Sequence, residues 1–365
     1  MITLKVNGTA FEGWKTARVT AGVDRAARDF ELGLSDRFPI FTPGANIKAG
    51  DECTIEVDGQ TVVTGYVDDV SVTYDDRTHS YTVSGRSKTQ DLIDCSAMNK
   101  PGQWKGLNLL DVCKQLAQPF GLSVSVSGKE KPEVVKDFSI QQGETAFAAI
   151  ERLCRLQGFL ASDDEDGNIV ITRVGSDSSS GTIQCTPLGI GNNVKRGSSK
   201  VSYKDRYSKY TVKGQQAGSD DLDGDAAATP NWSLSDSNVK RYRPLLVVAE
   251  GQTSTDTARK RVAWERSTRA GKSVELNYEV AGWTTSQGGE LWKVNTLVPV
   301  NDSILGINGE FLIAEATYSI GPNGTTTSLR LTPPEAYQPE PEADLAKKKK
   351  TSESVDSWAD EESDE

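Results

Sequence analysis

A mainly β protein with an α/β insert, carrying two similar β domains in one chain, is what this sequence predicts, on three observations. The first is a stretch that occurs twice. Val63, Gly65, Val67, Thr73 and Tyr74 recur as Ile307, Gly309, Phe311, Thr317 and Tyr318 at a constant offset of 244 residues. Each copy then enters a polar turn and returns along a second strand-like run, so the repeat has the form of a hairpin written twice. Chance is the alternative reading, because strands share Gly, Val, Thr and Tyr. The second observation is period-two alternation of apolar and polar residues in both the early and the late parts of the chain. The third is a central block in which the apolar spacing becomes helical. Two similar domains per chain have a geometric consequence: three copies present six similar surfaces, which is how a trimer meets a hexamer.

The 365 residues suffice for two or three domains with cores of their own. The net charge of −11 is uneven, because residues 336–365 hold ten acids and four lysines and leave −5 on the rest. A mildly acidic body argues against a protein that grips nucleic acid, which needs a clustered basic face. It is compatible with a surface past which DNA slides. No apolar run approaches the roughly 20 residues that span a bilayer, and residues 1–10 lack a signal-peptide pattern, so folding in a cytoplasm is expected. Cys53, Cys95, Cys113, Cys154 and Cys185 show no CxxC spacing and are expected to be reduced.

In chain order, residues 1–95 form the first β domain. Ile2, Leu4 and Val6 alternate with polar neighbours, and Asp58-Gly59 marks a hairpin turn. Residues 24–34 are ambiguous between a helical turn and a strand. Residues 96–178 are the α/β insert. Leu109, Leu110, Cys113, Leu116, Ala117 and Phe120 recur at helical spacing, with Asn108 as N-cap and Gly121 as terminator. Ala146, Phe147, Ile150, Leu153 and Cys154 make a second stripe closed by Gly158. Strand runs follow each helix, at 122–126 and at 159–161 paired with 169–172.

Residues 179–250 are β-rich, with 215–238 read as a long exposed loop on its Gly, Ser, Asp and Ala content. Residues 251–271 hold a helix over 255–270 that ends at Gly271. Its face of Arg259, Lys260, Arg261, Arg266 and Arg269 is basic: either a solvated face or, for Arg259, Lys260 and Arg266, a subunit or partner contact. Residues 272–335, with part of 179–250, form the second β domain. Residues 336–365 are a charged tail with too little apolar content to bury a core, expected to be disordered. Truncation after Pro341 should therefore leave the unfolding midpoint nearly unchanged in a thermal melt. A large loss would mean that Leu345 or Trp358 docks on the body.

Sites of chemistry are scarce in this sequence. A calcium loop set on Gly167 puts Ser162 first and Arg173 twelfth, where an aspartate and a glutamate belong, so Asp166-Gly167 reads as a hairpin turn. The same test on Gly224 fails equally. The glycines from 189 onward lack the sixth-place glycine and the βαβ setting of a dinucleotide loop. His79 is the only histidine, which rules out histidine-based triads and multi-histidine metal sites. No catalytic residue, metal ligand or cofactor is assigned.

The segments GRSKTQDLIDCSA (85–97), GETAFAAIERLCRLQGFLASDDEDGNIVITR (143–173), VAWERSTRAGKS (262–273), GWTTSQGGELWKVNTLVPV (282–300) and GEFLIAEATYS (309–319) together carry a resemblance. Over residues 1–337 the chain resembles the Mu-like phage baseplate hub family, relatives of the late control D proteins. The resemblance implies two barrel-like domains per chain and a homotrimer forming a pseudo-sixfold ring. It implies a place in the virion, at the centre of a contractile tail, joining the hexameric tail tube to the trimeric central spike among other baseplate proteins. An axial channel would pass duplex DNA without specific binding. The head region of type VI secretion spike proteins looks similar, and a spike component of that kind is one alternative. A cell-wall-degrading tail enzyme is the other, disfavoured because the short insert carries no recognisable acid/base pair.

Overall fold

The computed structural model describes residues 1–35, 47–76, 79–215, 231–252, 255–286, 288–322 and 324–340. Along the chain come β1 (Ile2–Val6), β2 (Thr9–Phe11), β3 (Thr16–Gly22), β4 (Asp29–Ser35), β5 (Glu52–Val57), β6 (Gln60–Tyr74) and β7 (His79–Ser87). The insert holds α1 (Gln90–Asp94), β8 (Gln103–Asn108), α2 (Leu109–Ala117), β9 (Val124–Val126), β10 (Val134–Ser139), α3 (Ala146–Leu156), β11 (Leu160–Asp163) and β12 (Ile169–Thr172). Next are β13 (Asp177–Ser178), β14 (Ile183–Cys185), β15 (Val194–Val201), β16 (Lys209–Gln215), β17 (Asn231–Ser235), β18 (Pro244–Gln252) and α4 (Thr255–Lys272). The chain closes with β19 (Val274–Ala281), β20 (Thr296–Asp302), β21 (Ile307–Gly321) and β22 (Gly324–Thr332).

One sheet runs through the molecule in the order β15-β19-β22-β21-β3-β4-β7-β6-β5-β1-β2, with β20 beside the first half of β21 and β13 and β14 beside β20. It contains two units of the same design. In the first, β3, β4, β7, β6 and β5 are successive neighbours; in the second, β15, β19, β22, β21 and β20 are. The ladders fix which residues correspond. Val67 faces Gly85 and Asp69 faces Ser84, leaving Asp68 as a bulge; Ile313 faces Leu331 and Glu315 faces Arg330, leaving Ala314 as a bulge. Asp29 faces Arg86 where Glu275 occupies the matching place, since Leu276 faces Leu331 as Phe30 faces Gly85.

The repeat is therefore real in the fold but its register is 246, not 244. Gly65 corresponds to Phe311 and Tyr74 to Ile320, while Gly309 corresponds to Val63 and Tyr318 to Val72. The physical reason is that strand side chains alternate with period two, so a slip of two keeps every residue on its own face and leaves the pattern matched. Both strands of the hairpin keep this offset, Tyr74 with His79 matching Ile320 with Thr325, and the second ladder runs one pair further, to Gly321 with Gly324.

The core follows from the same alternation. Val63, Val67, Phe30, Leu32, Ile55 and Val83 of the first unit and Leu276, Tyr278, Val298, Ile313 and Leu329 of the second are all buried in one continuous cluster. At roughly 1.5–3 kcal/mol per fully buried large apolar side chain, this cluster is the main source of stability.

Each unit carries an insert in a different place. After β7 the first unit continues into the α/β insert, where Leu109, Leu116, Ile150, Leu153 and Ile171 make a separate core. Its helices start as their caps dictate: Asn108 accepts from the Leu110 amide at 2.9 Å and Thr145 from the Ala148 amide at 3.2 Å. Gly121 and Gly158 take left-handed conformations after them. In the second unit the insert interrupts β15 and β19, where the first unit has only the short link from β3 to β4. There β17, β16 and β18 form a sheet under α4, around Tyr210, Val212, Ala258 and Val262.

Three expectations are corrected here. The tail does not begin at 336, because Ala336 is buried, Tyr337 hydrogen-bonds Arg330 and Asp24, and Trp264 donates to the Gln338 carbonyl. Residues 231–235 of the supposed loop form β17, with Trp232 facing Val212; the rest of that stretch, 216–230, lies outside the described residues, as does the tail from 341. Gly271 does not end α4, which continues to Lys272. It is a packing position instead, because a Cβ there would sit 2.6 Å from the Ala336 backbone nitrogen of the turn at Pro334–Tyr337. All five cysteines are free, and burial pushes the Cys53 thiol up to about 12, so it is inert.

Candidate assembly surface

The place where the two units meet is a strand pair. The second half of β21 bends at the Ala314 bulge, leaves β20, and pairs antiparallel with β3 from Glu315 opposite Gly22 to Ile320 opposite Ala17. On one face Ala316 meets Ala21, Tyr318 meets Val19 and Ile320 meets Ala17, an apolar strip continuous with the core. On the other face the Thr317 hydroxyl lies 3.3 Å from that of Thr20. Ion pairs flank the seam: Arg25 with Glu315 at 3.2 Å and Arg330 with Asp24 at 3.0 Å.

The positions that correspond to the two sides of this seam are both open. In the first unit β5 covers β6 only as far as Tyr66, so beyond the Asp68 bulge the outer edge of residues 69–74 has no neighbouring strand among the described residues. In the second unit β15 pairs with β19 on one side only among the described residues. Both edges expose large apolar side chains: Val72 is 58% exposed, Tyr74 74% and Val201 63%. Isolated exposed apolar residues are ordinary, but on two open strand edges they mark pairing surfaces.

The residues singled out from sequence fall as follows. Tyr318 is buried in the seam and its hydroxyl donates to the Trp292 carbonyl; burial pushes its pKa well above the usual tyrosine range. Tyr74 sits at the exposed end of β6. Gly65 is buried against β7 so closely that a Cβ would lie 1.9 Å from the Arg86 carbonyl oxygen, whereas one on Gly309 would meet only the Phe311 ring at 3.7 Å. The four residues are thus not brought into equivalent pairs.

On α4, Arg261 and Arg269 turn onto the buried Glu265, at 3.1 and 2.8 Å, so two of the five basic residues share one internal carboxylate. Lys260 pairs with Asp256 at 2.8 Å, and Arg259 lies over the Trp232 ring at 5.7 Å. Arg259, Lys260 and Arg266 are exposed.

Sequence reasoning missed a buried anchor between the first unit and its insert. Asp163, on β11, receives the Arg28 amide at 3.0 Å, the Arg28 Nε at 3.3 Å and the Ser87 hydroxyl at 2.7 Å. Arg28 also donates to the carbonyls of Val62 and Asp163. Burial pushes the Asp163 carboxyl up, against the pull of Arg28. Asp163 is the first of four consecutive acids, 163–166, and nothing local sets it apart from the other three.

A chain whose two units join edge to edge, with the same two edges left open among the described residues, has the layout of a structural assembly protein. Comparisons with known proteins agree. Family models match along the chain: the Mu phage baseplate assembly protein GpP-like N-terminal domain at 1–87 and the second domain of gp44-like baseplate hub proteins at 89–173. The third domain of NMB1110-like tail proteins matches at 206–263 and the fourth domain of GpP at 254–340. Baseplate hub protein gp44 of Escherichia phage Mu is 32% identical over 356 residues, covering 95% of this chain and 92% of that protein. The 43 kDa tail protein of prophage MuSo2 from Shewanella oneidensis is 35% identical, with a TM-score of 0.81 over 93% of this chain and 99% of that one. A tail protein from Neisseria meningitidis shares the fold at 23% identity, with a TM-score of 0.77 over 93% and 98% of the two chains. The chain belongs to the Mu-like baseplate hub family, and its role is that of a structural hub protein of the phage tail.

Proposed function

We propose that the chain works as a homotrimer whose six β units close a ring at the centre of the baseplate. The ring joins a hexameric tail tube on one side to a trimeric central spike on the other and holds other baseplate proteins around it. Its axis is a passage for duplex DNA, and the trimer assembles in the host cytoplasm before it enters the virion. The observation that carries this reading is the repeated unit: two copies per chain in one sheet give three chains six similar faces toward a sixfold partner. A body charge of −5 per chain suits a wall that DNA passes without sticking, because each neutralised phosphate would add salt-sensitive affinity.

The test is the mass in solution at micromolar concentration, expected to equal three chains, with a duplex DNA titration at low salt, expected to show no tight binding. A stable monomer would end the ring reading. Tight binding that weakens steeply with salt would replace sliding by gripping. A cell-wall hydrolysis assay, expected to be negative, separates the hub from a lytic tail enzyme.

A further inference from the structure

The seam inside the chain is a template for a contact between chains. Correspondence between the units translates each of its residue pairs. Residues 315–320 of β21 correspond to 69–74 of β6, because the bulges at Ala314 and Asp68 match. Residues of β3 correspond to β15 at an offset of 180: Thr16 faces Gly33 as Arg196 faces Glu279, and Gly33 and Glu279 are themselves equivalent. Glu315 opposite Gly22 therefore becomes Asp69 opposite Ser202, and Ile320 opposite Ala17 becomes Tyr74 opposite Gly197.

We propose that residues 69–74 of β6 pair antiparallel with the free edge of β15 in a second copy of this chain, with Val70 facing Val201, Ser71 facing Lys200, Val72 facing Ser199 and Thr73 facing Ser198. The pairing rests on the ring reading above and gives it a specific contact. It is heterologous, β6 of one copy to β15 of the next, so it propagates around a ring rather than closing a dimer.

Three independent features of the two edges fit. The translated pairs keep the faces of the seam. Val70, Val72 and Tyr74 take the places of Ala316, Tyr318 and Ile320 on the apolar side, with Val201 in the place of Ala21, so the exposed Val72, Tyr74 and Val201 would all be covered. Ser71 and Thr73 take the places of Thr317 and Ser319 on the polar side.

The charges are complementary. The end of β6 carries Asp69, Asp75 and Asp76 beyond an Asp68 that Arg86 already pairs at 2.8 Å, and β15 carries Lys195, Arg196 and Lys200. The register sets Lys200 diagonal to Asp69 and, carried two residues further, brings Arg196 opposite Asp75. Those charges also guard each edge against pairing with its own kind.

The hydrogen-bonding phase is right as well. The Val23 amide donates to the Ala314 carbonyl at 2.9 Å, which makes Ala21, Val19 and Ala17 the residues whose backbone groups face β21. Their counterparts are Val201, Ser199 and Gly197. The Ser202 amide donates to Ser273 at 2.8 Å, so the even-numbered residues of β15 serve β19 and the odd-numbered ones point to the open edge. The template and β15 itself agree on which groups are available.

The experiment uses the full chain with Cys95→Ser and Cys185→Ser as background. Thr73 and Ser198 form a non-hydrogen-bonded pair, where side chains of antiparallel strands lie closest. Thr73→Cys with Ser198→Cys is expected to give, on mild oxidation, a covalent trimer on a non-reducing gel. Each single variant should give none, and the slipped pair Thr73→Cys with Lys200→Cys at least tenfold less. Ser199→Pro removes an outward amide without touching the β19 ladder and is expected to keep the fold while weakening association at least tenfold. A background chain that is trimeric but cross-links no better at 73/198 than at 73/200 overturns the pairing and leaves the ring reading standing. A background chain that is monomeric overturns both. Should Ser199→Pro fail to fold, the two cross-linking pairs decide alone.

Discussion

Asp163→Ala is expected to destabilise the protein by about 3–5 kcal/mol, the usual cost of removing one partner of a buried ion pair. The side chains of Asp163 and Arg28 are 2% and 8% exposed, so the pair is desolvated and its loss is not offset as it would be at the surface. The Arg28 amide and the Ser87 hydroxyl would lose their acceptor at the same time. The damage is predicted to be local first: the insert, with its own core, loosens from the first β unit before the sheet melts. Urea unfolding followed by tryptophan fluorescence measures the loss, and Trp104 in the insert reports on that part. Replacing both partners with apolar residues, Arg28→Met with Asp163→Leu, is expected to recover most of the stability, because the cost lies in leaving a buried guanidinium with only the half-exposed Glu165 3.6 Å away. If the single variant costs less than about 1 kcal/mol, the anchor is not structural.

Gly65→Ala is expected to cost about 1–3 kcal/mol or more, while Gly309→Ala stays within about 1 kcal/mol of the parent. Nothing near Gly65 can give way cheaply, since the added methyl would meet backbone atoms of β7: the Arg86 carbonyl oxygen at 1.9 Å and the Ser87 Cα at 2.6 Å. At Gly309 the methyl meets one ring edge at 3.7 Å and restricts the unfolded chain. Midpoints of urea unfolding for the two variants, measured side by side, check the contrast. Equal effects would mean that the β7 backbone gives way to a methyl at Gly65.

The behaviour of those two glycines shows how far the sequence could be read. Alternation in Ile2, Leu4 and Val6 and the turn at Asp58-Gly59 were legible, because one buried face and a left-handed turn leave direct marks on local residue choice. Asn108 and Gly121 bounded the α2 region for the same reason: caps are local chemistry. What was not legible is long-range. A period-two pattern fixes register only modulo two, so the repeat was found but misplaced by one pair of residues. Gly271 looked like a helix stop because nothing in sequence reveals that Ala336 packs against it. Asp163 could not be told from other acids until Arg28 came to meet it from 135 residues away. The open edges of β6 and β15 were invisible too, since an edge is defined by which strands are missing beside it.

The seam between β21 and β3 also decides how the molecule responds to force. Its six residue pairs, from Glu315 with Gly22 to Ile320 with Ala17, lie in one ladder. A load that slides one unit past the other along the strands strains every rung together, whereas a load that peels the sheet open strains them one after another. The seam is therefore stiffer to sliding than to peeling. Because the rungs are peptide groups, that anisotropy belongs to the backbone and survives wide variation in the side chains that clothe it.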